Sequence, residues 1–510
     1  MPPSPGISHR LVLFAITALI VVTRLPSLAY QRSIDDEAYY SVVAGEMLHG
    51  GLPYQDAVDR KPPLLFAVYW AVFRVAGYPA WRAVHVVSLL WVLGTMALLY
   101  GIARRLFTPV TGAVAALLYG AFQHYLLFDN AAFNGEVLMN LPLAGAVFLA
   151  FRPSRALIRT DLLAAGALVA LACLLKQPAG VGLAPLSVYC LHPDYVRTRG
   201  LPRWAGWLHG SLIGIGFALV LGITALILRR LGILQAAWYW SVVNHDVVHG
   251  PLDPVFWQYA VRGSAVFALC TGPLLLGAWR SLRGDFTAWE GRRAERDALV
   301  VFLAVSLIGV AASGRFFGHY FIQLLPPLAL LAAPTLARSW QALGVAAGRA
   351  WRRVTLGWTA LSLLVTFGIH FTKGVLRPLP TSDAAHWITA HSTPADRLFV
   401  WGQYPHLYYL SQRRPASRYI SCFPLTGFVF GGPPSADRGL DTSRRIVPGA
   451  WDSLARDFER HPPKFIVDEY AVRVVPLYPM AQFPWLASLV RDHYRLVARA
   501  SDGIIYERER

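Results

Sequence analysis

The chain has 510 residues, of which 55% are hydrophobic and only 15% charged, and its mean hydropathy is +0.42. A soluble domain carries about 25% charged residues, so this composition excludes an ordinary soluble globular protein and points to a membrane protein. The net charge of +18 does not mark a nucleic-acid binder, because the arginines gather in short links between apolar runs and alternate with links poor in basic residues. The four cysteines (Cys173, Cys190, Cys270 and Cys422) form no C-x-x-C pair and no disulfide framework.

Placing the arginine links in the cytoplasm orients the chain. Those links hold Arg104–Arg105, Arg152/Arg155/Arg159, Arg197/Arg199/Arg203, Arg280/Arg283/Arg292/Arg293/Arg296 and Arg338/Arg349/Arg352/Arg353. Apolar runs of bilayer-crossing character then predict about eleven spans. In chain order they cover 11–28, 83–103, 110–128, 137–151, 162–175, 179–191, 208–228, 261–279, 298–312, 321–337 and 356–371. The N-terminus falls in the cytoplasm and the C-terminus outside. The first run also resembles a signal peptide, but Thr23–Arg24 and Pro26 fit a cleavage region poorly, so an uncleaved span is expected. The stretch "PPLLFAVYWAVFRVAG" at 62–77 is apolar, short and interrupted by Arg74, which predicts an interfacial helix on the outer face.

From Lys373 onward the texture changes. "DRLFVWG", "KFIVDEY" and "YRLVARA" read as short strands, while "DAAHWITAH", "WDSLARDFER" and "WLASLVRDHY" read as helices. "FGGPPSADRG" reads as a Gly/Pro loop inside this module. The expected fold is therefore an α-helical polytopic membrane domain over 1–372, with interfacial helices in its first outer loop, and an extracytoplasmic α/β domain over 373–510.

That first outer loop concentrates acid in an acid-poor chain. Asp35, Asp36 and Glu37 are adjacent, and Glu46, Asp56 and Asp59 follow, out of 29 acidic residues in all. A solvated loop accounts for some of this. A carboxylate on "DDEAYYSVVAGEML", read as an amphipathic helix along the membrane surface, is instead placed for base work beside a lipid headgroup. Lysine adds a second signal. There are four lysines among 47 basic residues, and Lys61 ("RKPP") and Lys176 ("LLKQP") occupy proline-flanked outer turns. An ammonium there either snorkels at the interface or meets a phosphate as a point charge. Arg315, in "SGRFFGHYF", is a third outer cation, and Asp129 and Glu136 form a second acidic turn. His245 and His249 stand four apart around Asp246, but a catalytic metal normally needs three protein ligands, so no metal or other cofactor is expected.

At these residues a family resemblance emerges. Asp36-Glu37-Ala38-Tyr39-Tyr40, Gly51-Leu52-Pro53-Tyr54 and Lys61-Pro62-Pro63 resemble the D-E-A-x-Y, G-x-P-Y and K-P-P motifs of GT-C class membrane glycosyltransferases, a class that includes protein O-mannosyltransferases and aminoarabinose transferases. "NGEVLMNLP", "LLKQP" and "GRFFGHYFIQLLPPLALLAA" are similar to later signatures of the same group, so the resemblance covers about residues 11–337. It implies an inverting transfer of a sugar from a polyprenyl-phosphate carrier to an acceptor hydroxyl, outside the cytoplasmic (bacterial inner) membrane. Asp36 would be the general base, with Asp35 and Glu37 beside it. Lys61, Lys176 and Arg315 would hold the leaving phosphate, and Tyr54, Asp59, Glu136, His319 and Tyr320 would complete the substrate site. The implied partners are the lipid-linked donor, a glycan, lipid or protein acceptor and membrane lipids. Some relatives carry an acid directly before K-P; here that place is Arg60, so the acid's role passes to Asp59 or Asp56 or is absent, and Asp35 leaves the base open by one position. Two rivals stand beside the transferase. One is a transporter or flippase for such a lipid, and the other is a binding protein whose C-terminal module does the work.

Overall fold

The computed structural model describes residues 9–29, 35–123, 132–152, 158–244, 249–283, 289–341, 382–403, 405–428, 441–472 and 478–509, together with isolated positions between 353 and 368. The chain forms two compact units. The first gathers residues 1–32, 84–227 and 250–378; the second gathers 33–83, 228–249 and 379–510.

The first unit is helical. Its helices are α1 (His9–Ala29), α4 (Trp81–Leu106, which begins at the junction with the second unit), α5 (Pro109–Phe122), α6 (Gly135–Ala150), α7 (Ile158–Leu175), α8 (Leu183–Leu191), α9 (Pro193–Thr198), α10 (Arg203–Arg230), α12 (Pro254–Leu282), α13 (Arg293–Ala311) and α14 (Leu325–Gln341). Among the described residues six segments are long and apolar enough to cross a membrane: α1, α4, α7, α10, α12 and Gly318–Ser339. The chain is thus a multi-pass membrane protein. Two predicted spans open differently from a plain α-helix. The run at 179–191 starts as a 3-10 segment, Gln177–Gly182, where Pro178 and two glycines weaken α-helical bonding before α8 begins. The run at 321–337 likewise starts as a 3-10 segment, Gly318–Leu324, and Pro326 and Pro327 then fall in the first turn of α14, where their missing N–H groups cost nothing. The predicted span at 110–128 is α5, and its continuation from 124, including Asp129, lies outside the described residues, as do His245, Asp246, the "FGGPPSADRG" loop from 429 and most of the predicted span at 356–371. Arg24, inside α1, is buried and donates to Ser88 Oγ at 3.4 Å and Gln123 Oε1 at 3.0 Å.

The second unit contains α2 (Asp35–Leu48), α3 (Pro63–Ala76), α11 (Leu234–Trp238) and the C-terminal module. α3 begins with Pro63 and ends at Gly77, whose φ of 84° terminates the helix where a side chain would be strained. The module is a five-stranded mixed sheet of order β2-β1-β3-β5-β4. β1 (Arg397–Trp401) pairs in parallel with β2 (Arg414–Pro415) and with β3 (Phe465–Asp468), while β5 (Gly503–Arg508) runs antiparallel to β3 and to β4 (Tyr494–Ala500). Sequence periodicity gives β1, β3, β4 and the helices Asp383–His391, Ala450–Arg460 and Pro484–His493. It passes over β5, a short run that the Ser501–Asp502 turn folds back onto β4.

One expectation about α2 needs correction. The helix forms, but it does not lay a polar face along a surface. Glu37, Ser41 and Glu46 are as buried as Ala38, Val42 and Val43, because α3 packs on one side and the C-terminal module on another. Glu37, Ser41 and Glu46 therefore face protein rather than water, and each must find a partner there, while Asp36 stays partly exposed.

Candidate active site

In the second unit the stretch between α2 and α3 brings three expected residues together. Asp59 follows the turn that Tyr54 makes with φ of 66°, held by the Tyr54 N–H donating to Ala57 O at 2.9 Å. Tyr54 Oη donates to Lys61 O at 2.7 Å and its ring meets Phe66 edge-on at 5.7 Å, so Tyr54 positions the lysine's backbone. Lys61 Nζ lies 5.7 Å from the centre of the Tyr40 ring. Asp59 Oδ1 accepts from the Arg60 N–H at 2.7 Å, whereas Oδ2 is buried with no hydrogen-bond partner among the described residues. Burial raises the Asp59 pKa above the ordinary carboxylate range; Lys61 and the Arg60 N–H oppose the rise, and the Asp36 charge adds to it. Asp36, Asp59 and Lys61 thus act on one another electrostatically. Asp36 is partly exposed, Glu37 is buried, and Asp35 is the first residue of α2. Tyr39, between the carboxylates and the body of the helix, donates from Oη to Gln403 O at 2.6 Å and so fixes this end of α2 to the loop after β1.

In the first unit the "NGEVLMNLP" stretch builds a second polar centre. Asn134 caps α6 by accepting from the Val137 N–H at 3.3 Å. Gly135 leaves room for the Lys176 stem, since a Cβ there would lie 2.6 Å from Lys176 Cδ. Glu136 then meets Lys176 directly, with Nζ 2.5 Å from Oε1, and the same ammonium lies 4.9 Å from the Tyr320 ring centre. Glu136 Oε2 is buried without a partner among the described residues. An ammonium has three donors, so Lys176 keeps hydrogens beyond the one given to Glu136. Asn140, one turn further along α6, donates to Ile322 O at 3.3 Å and fixes the 3-10 segment that carries His319 and Tyr320. The His319 and Tyr320 rings meet edge-on at 4.7 Å. Arg315 follows Gly314, whose φ is 70°, and its Nε is buried without a hydrogen bond among the described residues.

The comparisons with known proteins bear on this arrangement. The sequence model of the dolichyl-phosphate-mannose-protein mannosyltransferase family matches residues 60–223. Among solved structures the chain is similar to ArnT from Cupriavidus metallidurans in the apo state, at 16% identity with 97% of each chain covered and a TM-score of 0.64. The chain has the fold of the GT-C membrane glycosyltransferases. The same likeness holds for ArnT bound to undecaprenyl phosphate, at 15% identity, 97% of each chain and a TM-score of 0.58. It extends to the archaeal oligosaccharyltransferase AglB from Archaeoglobus fulgidus in complex with an inhibitory peptide and a dolichol-phosphate, at 12% identity, 99% of this chain and 74% of that one, with a TM-score of 0.54. No curated protein matches by sequence. The family match begins at Arg60, so the Asp36 motif lies before it and rests on the fold and its own geometry.

Several residues that build these two centres escape a sequence reading. Tyr40, Asn140 and Gly135 lie inside the quoted motifs, yet nothing in their spacing marks them as a ring under Lys61, a tie to the 318–324 segment, or clearance for Lys176. Glu46 is legible as part of the acid cluster, but its partners Arg414 and Arg397 are not.

Proposed function

We propose that the chain transfers a sugar from a polyprenyl-phosphate carrier to an acceptor hydroxyl at the outer face of the cytoplasmic membrane, with inversion. In this reading the acceptor O–H gives its proton to the Asp36 carboxylate as the oxygen bonds to the anomeric carbon. The bond from that carbon to the phosphate oxygen breaks, and the carrier leaves as a phosphate monoester. Lys61, Lys176 and Arg315 stabilise the charge that develops on the leaving phosphate.

The observation that carries the reading is the joint electrostatics of Asp36, Asp59 and Lys61 on a chain with this fold. Asp59, buried with its second oxygen unbonded among the described residues and raised in pKa by burial and by the Asp36 charge, resists ionising, which leaves the partly exposed Asp36 as the assigned base. Lys176, held by Glu136 and Tyr320, suits a phosphate because it presents a compact charge at a fixed place. The test is incubation of the purified protein with a panel of polyprenyl-phosphate sugars and measurement of free carrier phosphate. Release of carrier phosphate that needs an acceptor and is lost in Asp36→Asn supports the transferase. Movement of the lipid across a bilayer without release of carrier phosphate would point to a flippase instead.

A further inference from the structure

The second unit contains a cavity of about 300 Å³ at the other end of α2, away from Asp36. Its wall is made by Glu46, by Arg397 and Arg414 of the sheet, by Arg418 and Asp457, and by Arg460 and His461. The sheet register explains the concentration of charge. Parallel pairing of β1 with β2 sets Arg397 directly opposite Arg414, so two guanidinium groups share one edge. Like charges facing each other across strands destabilise a sheet unless an anion lies between them.

Glu46 supplies part of that anion. Arg414 donates from Nε to Oε1 at 2.9 Å and from Nη2 to Oε2 at 2.6 Å, a two-pronged pair that engages both carboxylate oxygens. Arg397 stands 3.7 Å from the same Oε2, beyond a hydrogen bond, and its Nη1 donates to Pro415 O at 2.7 Å. Among the described residues no acceptor meets the other nitrogens of Arg397. Arg418 is likewise matched two-pronged by Asp457, at 2.9 and 2.7 Å. Four guanidinium groups thus face three carboxylates, and the third, Asp56, is exposed and already accepts from the Leu52 N–H at 2.7 Å. The uncompensated positive charge belongs to Arg397 and, at the exposed rim, Arg460. Burial pushes the Arg397 pKa down and the neighbouring Arg414 adds to this, while Glu46 and Asp56 oppose it; burial also pushes His461 down, with Arg397 and Arg414 adding to it.

We propose that this cavity binds an oxyanion, a phosphate or carboxylate group carried by the acceptor, with Arg397 as its principal partner and Arg460 and His461 at the rim. The inference rests on the transferase reading only in calling the ligand an acceptor. α2 then acts as a ruler. Glu46 lies ten residues after Asp36 on one helix, which is roughly 15 Å of axial rise. An acceptor anchored here by its anion presents a hydroxyl to Asp36 only when the two groups are separated by about that distance, a span of about two or three sugar units, so the cavity selects acidic acceptor chains of that reach and leaves neutral ones weakly held.

The experiment uses the full chain in detergent and measures equilibrium binding of glucose 6-phosphate, glucuronate and glucose by calorimetry. Saturable binding of one or both anionic sugars, with glucose at least about tenfold weaker, is the expected result. The better of the two names the oxyanion. Arg397→Gln should weaken it by about tenfold, Arg460→Gln by about threefold, and Asp56→Asn should tighten it by removing a repelling charge. If Arg397→Gln melts early, the exposed Arg460 and Asp56 variants give the same answer in opposite directions. Equal binding of all three sugars, or indifference of the anion to Arg460→Gln and Asp56→Asn in folded protein, overturns the proposal. Asp36→Asn should bind the anion as the parent protein does, so loss of transfer and loss of anchoring are read separately.

Discussion

Glu46 and Asp59 belong to the same stretch of the second unit, both place carboxylate oxygen inside protein, and they are treated in opposite ways. Glu46 receives a two-pronged arginine and a second guanidinium nearby. Asp59 receives one backbone N–H and leaves its second oxygen without a partner among the described residues. The first unit repeats the second pattern, since Glu136 gives one oxygen to Lys176 and leaves the other without a hydrogen bond. A fully matched buried charge holds elements in place; a half-matched one keeps capacity for a ligand or a proton. The acid cluster that the sequence displays as one feature therefore divides in two by how its charges are satisfied, an end around Asp36 and Asp59, which we propose is the reactive one, and a structural end around Glu46.

Breaking each end separately sharpens that division. At the reactive end, Asp36→Asn should lower transfer by about a thousandfold or more while the melting temperature stays put; turnover near that of the parent protein would remove the base from the mechanism. At the structural end, Glu46→Ala should destabilise the second unit by on the order of 3 kcal/mol, because it leaves Arg414 and Arg397 facing each other without an anion. Denaturant unfolding measures this, and an unchanged midpoint would mean the pair is dispensable.

The same contrast recurs within the module. Asp468, at the end of β3, accepts from the Ala471 N–H at 3.0 Å, and burial pushes its pKa up to about 6. A carboxyl raised in the folded state adds stability while protonated, below its ordinary value near 3.8, and that contribution is lost as pH rises through about 6. Asp468→Asn should therefore stabilise the protein by about 2 kcal/mol at neutral pH and have little effect below pH 4. A stability difference independent of pH across that window would contradict the assignment. The smallest effect is expected at Lys176. Lys176→Ala should raise the donor concentration needed for half-maximal transfer by about tenfold with a modest change in kcat. Unchanged donor dependence would leave Lys176 as a partner for Glu136 only.

Much of the fold is legible in the residues themselves. Apolar run length marks the spans, though not the 3-10 starts at Gln177–Gly182 and Gly318–Leu324, and short apolar runs between polar turns mark β1, β3 and β4. Lys61 and Lys176 stand out by rarity, and Asp36 and Asp59 by clustering. The burial of α2 is not legible, because its pattern of small, aromatic and acidic residues resembles a surface helix until α3 and the C-terminal module cover it. The arginines opposite Glu46, Arg414 and Arg397, are not legible either, because each lies more than 350 residues away along the chain.

By itself, then, the sequence determined which segments are apolar, where they break and which residue types collect between the first two long apolar helices, since hydropathy, propensity and composition act over a few turns of chain. The tertiary structure alone decided which of those charges are satisfied. Glu46 meets an arginine 368 residues away, and it does so only because β2 pairs with β1 in one register and α2 packs beside that edge. Pairing at that range depends on the positions of whole elements, and no local pattern carries that information.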